Sequence, residues 1–233
     1  MKYFYILLVM IVFLFSGRVG AQQVAMNNEK ERPSGNVYSE IDRVSSLLIS
    51  DPQNEKLLSE RSLMYAKIGE YEKALSDIDQ GLSSHPESYR LYYTKTLILL
   101  RRQHTKSALE AIEKAVELEA NENNLYLRAT VYASLGETRE AILDINSILA
   151  LNPRCDYCYL QKALWCSDMN MYYEEIKNYL YYIKVSTDEV NVNIIKERIK
   201  KMKRHDPYFA DLIKNAKKEI RKNGYPWEYH VWE

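Results

Sequence analysis

A pattern that recurs about every 34 residues is the feature that most constrains the fold of this chain. Apolar and small residues occupy fixed positions in four consecutive segments between residues 55 and 187. The first segment carries the set Leu58, Ser62, Tyr65, Gly69, Tyr71, Ala74, Ile78, Gly81 and Pro86, and matching sets follow in the other three. Such spacing predicts one structural unit that is repeated four times.

Each segment is expected to form two helices joined by a tight turn. Leu58, Ser62 and Tyr65 lie at positions i, i+4 and i+7, which is the period of one helix face. Gly69 suits the turn because a positive φ costs little for a residue without a Cβ atom. Ala74 begins the buried face of the returning helix, where a small side chain allows the two helices to approach closely.

The composition agrees with an all-α protein. Only seven Gly and six Pro occur in 233 residues, too few to supply the turns that a β-sandwich or barrel needs about every 8–12 residues. The chain has 32 basic and 32 acidic side chains, and 46% of its residues are hydrophobic. This balance argues against disorder and against a dedicated nucleic-acid-binding protein.

The repeated unit resembles the tetratricopeptide repeat (TPR), a helix–turn–helix of about 34 residues that ends in Pro. Residues 66–75 (AKIGEYEKAL) and 135–142 (LGETREAI) carry the resemblance most clearly. It implies an all-α, right-handed solenoid of about four repeats, at residues 55–88, 89–121, 122–155 and 156–187. The sequence departs from the pattern at Gln103, Ala120, Asn170 and Glu175, where Gly, Pro, Gly and a small residue are expected.

The N-terminal segment has the pattern of a secretory signal peptide. Met1-Lys2 precedes an uncharged run from Tyr3 to Phe15, and small residues follow up to Ala21. The apolar run is shorter than the roughly 20 residues that span a bilayer. We therefore expect cleavage after residue 21, a flexible linker at 22–36, and export to a periplasmic or extracellular location.

Further helices are expected on both sides of the repeats. Residues 37–54 form a predicted N-terminal capping helix, and residues 188–223 form predicted C-terminal capping helices. Between 188 and 222 there are 11 basic and 6 acidic side chains, a net charge of +5. This basic segment fits either a solvated cap or peripheral contact with an anionic membrane surface. The aromatic tail at 224–233 either covers the last helix or contacts a partner.

No motif of a known enzyme class occurs in the sequence. There is no Gly-rich phosphate loop, HExxH or GxSxG, and the four His residues are scattered. Cys155-x-x-Cys158 leaves two interpretations open: a thiol pair for disulfide exchange, or, as the sequence favours, a local disulfide or a pair of small buried residues. Zinc binding needs four ligands, and no His lies in this repeat. We predict no catalytic residue, no cofactor and no metal.

In TPR proteins the first helix of each repeat lines the concave face, which is where ligands bind. The resemblance places Lys56, Ser59, Leu63, Ala66 and Lys67 there in the first repeat and Arg90, Tyr93, Leu97, Leu100 and Arg101 in the second. It adds Asn123, Tyr126, Thr130, Ala133 and Ser134 in the third and Tyr157, Leu160, Leu164, Ser167 and Asp168 in the fourth. The residues predicted to contact a partner are Lys67, Arg90, Tyr93, Leu97, Arg101, Tyr126, Thr130, Tyr157 and Leu160.

The sequence thus predicts an exported scaffold or adaptor that binds a protein or peptide and catalyses nothing. Tyr and Arg are the side chains that most often anchor such interfaces. The set of residues with which some TPR proteins hold a terminal carboxylate is not matched here, because Ser59 and Leu63 stand where it would begin. Two alternatives stay open: a thiol–disulfide factor using Cys155 and Cys158, and a structural subunit at a membrane surface. Partner identity and oligomeric state are not indicated.

Overall fold

A computed structural model describes residues 37–226, which form eleven α-helices and no β-strand. The helices are α1 Val37–Ser50, α2 Glu55–Lys67, α3 Tyr71–Ser84, α4 Tyr89–Arg101, α5 Thr105–Leu118, α6 Glu122–Ser134, α7 Thr138–Leu151, α8 Asp156–Asp168, α9 Tyr172–Val185, α10 Glu189–His205 and α11 Pro207–Asn223. The predicted all-α class is confirmed. The predicted signal peptide, the linker and residues 227–233 lie outside the described residues.

The chain divides into two compact units, Met1–Ala120 and Asn121–Glu233. The described part of the first unit contains α1 and the helix pairs α2–α3 and α4–α5. Helix α1 packs on the first pair, with Ile41, Val44 and Leu48 buried against Leu58 and Met64. This apolar stripe recurs every three or four residues, which explains why α1 docks along one face.

The second unit contains the helix pairs α6–α7 and α8–α9, followed by α10 and α11. Its core joins Tyr159 and Tyr179 of the last pair to Ile195 of α10 and Ile213 of α11. Tyr225, at the start of the predicted aromatic tail, packs on this cluster, with its ring centroid 6.0 Å from that of Tyr181. Tyr225 of the predicted tail therefore covers part of the core of the second unit.

The turn inside each helix pair contains one residue with a positive φ. These residues are Gly69 (84°), Gln103 (63°), Gly136 (83°) and Asn170 (58°). The turn geometry is thus kept in the two repeats that lack Gly, although L-residues enter the left-handed region at a cost of roughly 1–2 kcal/mol. Asn tolerates this region better than Gln does, because its short polar side chain can bond locally.

Small residues allow the helices to approach closely, as expected. Ala74, Ala108 and Ala141 occupy the same repeat position and are fully buried. A Cβ added to Gly81 would lie 2.9 Å from Leu91 Cδ1, so the absence of a side chain there serves the contact. The fourth repeat has Glu175 instead of Ala. Its carboxylate is buried and accepts a hydrogen bond of 2.9 Å from Arg198 Nη2 of α10.

Some polar contacts recur every two repeats rather than every repeat. They occupy equivalent positions in the first and the second unit. Arg61 donates to Asp77 through Nε and Nη2 at 2.8 and 2.6 Å, linking α2 to α3. Arg128 and Asp144, at the same positions two repeats later, form this bidentate contact again between α6 and α7 at 2.9 and 2.7 Å. In the even-numbered repeats a lysine replaces the arginine and reaches back to the preceding helix pair, as in the contacts Lys95–Asp79 (2.9 Å) and Lys162–Asn146 (2.7 Å).

The first helices of the repeats share one capping position, and the fourth repeat fills it differently. The side chains of Asn54, Ser88 and Asn121 each accept a hydrogen bond from the backbone N–H three residues later, at 3.0, 3.2 and 2.9 Å. Cys155 holds this position in the fourth repeat, makes no such bond, and forms a disulfide with Cys158, again three residues later. The disulfide therefore links covalently the two positions that a capping hydrogen bond joins elsewhere.

Candidate functional site

In the first unit, the exposed faces of two helices match in side-chain type at three of four equivalent positions. Residues separated by 3, 7 and 11 positions fall on one stripe of an α-helix. On α2 this stripe consists of Lys56, Ser59, Leu63 and Lys67, and on α4 it consists of Arg90, Tyr93, Leu97 and Arg101. Each stripe has a cation at both ends and a leucine at the same place between them. The two cations of one stripe are about 16 Å apart along the helix axis.

Hydrogen bonds between α2 and α4 bring the two stripes side by side. The Ser59 and Thr94 hydroxyl oxygens are 2.9 Å apart. At the start of the helices, Ser88 Oγ donates to Glu55 Oε1 at 2.7 Å. Lys56, Ser59, Leu63 and Arg90 line one open groove of about 920 Å³. Of the predicted contact residues of the first unit, Arg90 lines this groove. The others, Lys67, Tyr93, Leu97 and Arg101, continue the two stripes towards the ends of α2 and α4.

Within residues 37–226, the four cations of these stripes lack an acidic side chain within ion-pair distance. Among the residues that the structure describes, no ion pair involves Lys56, Lys67, Arg90 or Arg101. Lys67 and Arg101 are both exposed at the ends of their helices. Carboxylates line the groove itself, at Asp51, Glu55 and Glu60. The clearer positive charge therefore lies outside the groove lining, at the last residues of α2 and α4.

In the second unit, the equivalent face is aromatic and carries few charges. The rings of Tyr126 on α6 and Tyr157 on α8 meet edge to face, with centroids 5.1 Å apart. The Tyr157 hydroxyl donates to the Glu122 carboxylate. Burial raises the pKa of Tyr126 to about 12, and burial together with the bond to Glu122 raises the pKa of Tyr157 further. Both phenols therefore stay neutral at physiological pH.

The remaining predicted contact residues lie on the expected helices. Among the other residues expected to line the concave face, one is buried instead of exposed. Thr130 is partly buried on α6, and its Oγ1 donates to the Leu127 carbonyl at 2.7 Å. Leu160 is partly buried on α8 and packs against the core of the second unit. Ala66 was expected to line the concave face, but it is 3% exposed and packs in the core of the first unit. It cannot contact a ligand there.

The Cys155–Cys158 disulfide has the environment of a structural bond. The two residues are 3% and 0% exposed, so a thiol of another protein cannot reach the sulfur atoms unless α8 opens locally. Cys166 is a buried free thiol, and burial raises its pKa to about 11. It is therefore protonated and a poor nucleophile at neutral pH.

Residues 37–226 contain no group of three or more His, Cys, Asp or Glu side chains arranged to hold a metal ion. None of their helices combines the length and apolar character that crossing a membrane would require.

One residue of the second-unit surface was missed by the sequence interpretation. Glu122 fixes the hydroxyl of Tyr157, as Glu55 accepts the hydroxyl of Ser88 in the first unit. Glu55 and Glu122 hold the same position two repeats apart, and each begins a first helix. Comparison of the chain with itself at a spacing of two repeats, rather than one, would have singled out Glu122.

Comparison with protein families and sequences gives two matches. The model of the family described as ChAPs (Chs5p-Arf1p-binding proteins) matches residues 34–229. Sperm-associated antigen 1 of Mus musculus is 34% identical over 89 residues, which are 38% of this chain. The chain spans about a tenth (10%) of the length of that mouse protein.

Solved structures with the same fold are TPR proteins. PilF of Pseudomonas aeruginosa has a TM-score of 0.61 at 12% identity, with 88% of this chain and 89% of that chain covered. MamA of Desulfovibrio magneticus has a TM-score of 0.58 at 15% identity, with 74% and 97% covered. YrrB, described as a TPR protein with an unusual peptide-binding site, has a TM-score of 0.55 at 14% identity, with 78% and 93% covered. The predicted TPR resemblance is confirmed, and at these identities the likeness shows the fold alone.

Proposed function

The chain belongs to the family of Chs5p-Arf1p-binding proteins, and from this we propose that it is a non-catalytic scaffold or adaptor that binds a protein or peptide partner. The family description names proteins as the molecules bound, and YrrB is described as having a peptide-binding site. The single observation that carries the proposal is the pair of matching stripes on α2 and α4. Lys56, Leu63 and Arg90 of these stripes line an open groove, and the stripes continue along the same helices through Tyr93 and Leu97 to Lys67 and Arg101. The four cations form no ion pair within residues 37–226.

The groove fits an extended peptide or one helix of a partner. Both shapes lie along a surface channel, and both present side chains at regular intervals to the residues that line it. Leu63, Leu97 and Tyr93 supply apolar contact area, and the flanking cations supply orientation. Tyr126 and Tyr157 give the second unit its own aromatic surface for such a partner.

Site-specific photocrosslinking tests this function. A photoreactive amino acid would replace Tyr93 or Tyr157 in the full chain, in the cells that produce the protein naturally. We expect discrete covalent adducts with a protein partner from both positions. A matched probe at Glu110, which is exposed on the second helix of its repeat, should give none. Equal adduct formation from Glu110, or none from Tyr93 and Tyr157, would contradict a partner site on the first helices.

Export belongs to the same proposal. The apolar run from Tyr3 to Phe15 followed by small residues up to Ala21 supports a cleaved signal peptide. Mass spectrometry of the protein from its own cells should then find a mature chain that begins at Gln22, outside the cytoplasm. A full-length cytoplasmic chain beginning at Met1 would contradict export.

Contact with an anionic membrane surface is a second candidate function. The basic segment 188–222 forms α10 and α11, and its Lys200, Lys201, Lys217 and Lys218 side chains are exposed. Such helices are attracted to anionic lipid heads. Sedimentation with vesicles that contain phosphatidylglycerol should retain the protein at low salt and release it at high salt. Equal recovery with neutral vesicles would contradict the charge-based contact.

The thiol–disulfide alternative receives no support from the burial of Cys155 and Cys158. An insulin-reduction assay on the native protein decides it. We expect a rate equal to that of the reductant alone, whereas clear acceleration would restore the redox hypothesis.

A further inference from the structure

The positions of Lys67 and Arg101 can be compared with the equivalent positions of the second unit, which carry no cation. This comparison shows whether the fold itself requires a positive charge there. Ser134 and Asp168 stand two repeats after Lys67 and Arg101, at the ends of α6 and α8. The same helix–turn–helix forms with either set. A positive charge at the end of these helices is therefore not required by the fold.

The local electrostatics favour an anionic ligand at the last residues of α2 and α4, one helical turn beyond Leu63, which lines the groove. Lys67 and Arg101 lie on neighbouring helices, are exposed, and form no ion pair within residues 37–226. The two carboxylates that follow Lys67 in sequence, Glu70 and Glu72, pair with Lys73 and Arg102 instead. Two unneutralised cations on adjacent helices attract carboxylates, and an arginine can bind one through two parallel hydrogen bonds.

The apolar part of the stripe is close to these cations. Leu63 and Leu97 precede Lys67 and Arg101 by four residues, or about 6 Å along each helix. An extended peptide advances about 3.3 Å per residue, so this distance corresponds to about two residues of a bound segment.

We propose that the first unit selects an extended acidic peptide segment. An apolar side chain of the partner lies between Leu63, Tyr93 and Leu97. A carboxylate about two residues further along meets Lys67 and Arg101. The proposal rests on the peptide-binding function proposed above and adds the chemistry of its partner.

The direct test measures binding of short fluorescein-labelled peptides to the full chain by fluorescence anisotropy. The probe has a Leu-x-Glu-Glu core with capped ends, and its matched control has Gln in place of both Glu. We expect the acidic probe to bind about tenfold more tightly, with an advantage that decreases at high salt. A third peptide moves the Glu pair several residues away from the Leu and should lose most of the advantage.

Variants of the protein identify the site. Arg101→Gln and Arg101→Glu should weaken binding of the acidic probe about five- to tenfold or more and leave the Gln control peptide unaffected. Lys106→Glu changes the net charge as much as Arg101→Glu does, on the exposed face of α5, and should change affinity less than about twofold. Thermal unfolding of each variant checks that the helix end itself is intact.

The outcomes separate this inference from the broader function. Equal binding of the acidic and Gln peptides, or an unchanged affinity in Arg101→Glu, overturns the acidic-partner inference. Photocrosslinks from Tyr93 would still support the groove in that case. Anionic vesicles that compete as well as the acidic probe, or a shifted Glu pair that binds equally, would show charge attraction without a peptide site and also overturn it. Absence of groove crosslinks would overturn the proposed function itself.

Discussion

At the scale of single residues, the positive-φ turn positions explain how imperfect repeats keep one shape. Gly69 and Gly136 enter the left-handed region without a Cβ, whereas Gln103 and Asn170 enter it with one. The second and fourth repeats lack Gly at this turn, yet the helices on both sides of it have the same lengths as in the other repeats. The strain is therefore absorbed locally and should be removable.

Replacement of Gln103 by Gly should stabilise the protein. We expect an increase in the free energy of unfolding of about 0.5–1 kcal/mol, because Gly relieves the left-handed strain although it adds entropy to the unfolded chain. Urea denaturation followed by circular dichroism measures the change. Gln103→Ala serves as the control, since Ala keeps the Cβ and should give no gain. Equal stability of the Gly and Ala variants would contradict the turn-strain explanation.

A single acidic group gives the second unit a defined pH dependence. The pKa of Asp168 is raised to about 6, chiefly because partial burial removes hydration from the carboxylate; the neighbouring Glu175 contributes to this shift and Arg198 opposes it. An unfolded aspartate titrates near a pKa of about 3.9. The folded state therefore binds the proton more tightly, and this contribution to stability decreases as the pH rises from about 4 to about 6.

Comparison of the native chain with Asp168→Asn isolates this effect. When the pH decreases from 7 to 5, the native chain should gain stability relative to the variant, as measured by denaturant midpoints at each pH. Carboxylates with lowered pKa values, such as Glu219, act in the opposite sense in both proteins and cancel. A constant difference between the two proteins across this range would show that Asp168 does not titrate as described.

At the scale of helices, the departure at Glu175 has a structural reason that the sequence did not reveal. The fourth repeat departs from the repeat pattern here, because Glu replaces a small residue. In the structure the buried carboxylate meets Arg198 of α10, whose guanidinium also approaches Ser167 Oγ at 3.3 Å. A residue that breaks the repeat pattern thus forms the contact with the capping helix.

A double-mutant cycle should show strong coupling between Arg198 and Glu175. Arg198→Ala leaves a carboxylate that is only 1% exposed without its partner, and should destabilise the fold by about 3 kcal/mol. Glu175→Ala should cost less, because the Arg198 side chain is 34% exposed and can be hydrated. The double variant should then be close to Glu175→Ala. Additive effects in chemical denaturation would contradict the coupling.

The disulfide at the start of α8 should be replaceable by the capping residue of the other repeats. Cys155→Ala with Cys158→Ala removes the bond and leaves no cap. Cys155→Asn with Cys158→Ala restores the side-chain acceptor found at Asn54 and Asn121. We expect the Asn variant to be more stable than the Ala variant by about 1 kcal/mol in urea denaturation. Equal stability would show that the disulfide does not substitute for a cap.

At the scale of the whole molecule, the fold class could be predicted from the sequence, whereas the pairing of repeats could not. The single-repeat pattern depends on helix packing, which needs small and large residues at fixed positions and is therefore visible in one sequence. The two-repeat pattern depends on polar contacts such as Arg61–Asp77, whose partners lie on different helices. Helix geometry also identifies the candidate residues on the exposed stripes. Coordinates are needed to show which of them form ion pairs or hydrogen bonds with neighbouring side chains.

The packing of α10 and α11 on the core of the second unit predicts a large effect of C-terminal truncation. Removal of residues 187–233 deletes α10 and α11 and exposes Tyr159, Ile176 and Tyr179, so the melting temperature should decrease by at least about 10 °C or the protein should aggregate. The full chain serves as the reference. Differential scanning calorimetry compares the two proteins, and an unchanged melting profile after the deletion would contradict the assigned role of α10 and α11.

The exchange of Ala for Glu at position 175 also limits how such a protein can change in length. Ala74, Ala108 and Ala141 are fully buried and place no charge at this repeat position, so duplication of a helix pair before residue 156 is expected to keep the packing intact. A new repeat inserted after α9 would instead face a buried carboxylate with no arginine to receive it. Insertions and deletions of whole repeats are therefore expected before residue 156. In a related protein with an additional repeat after α9, we expect a small residue at the position of Glu175.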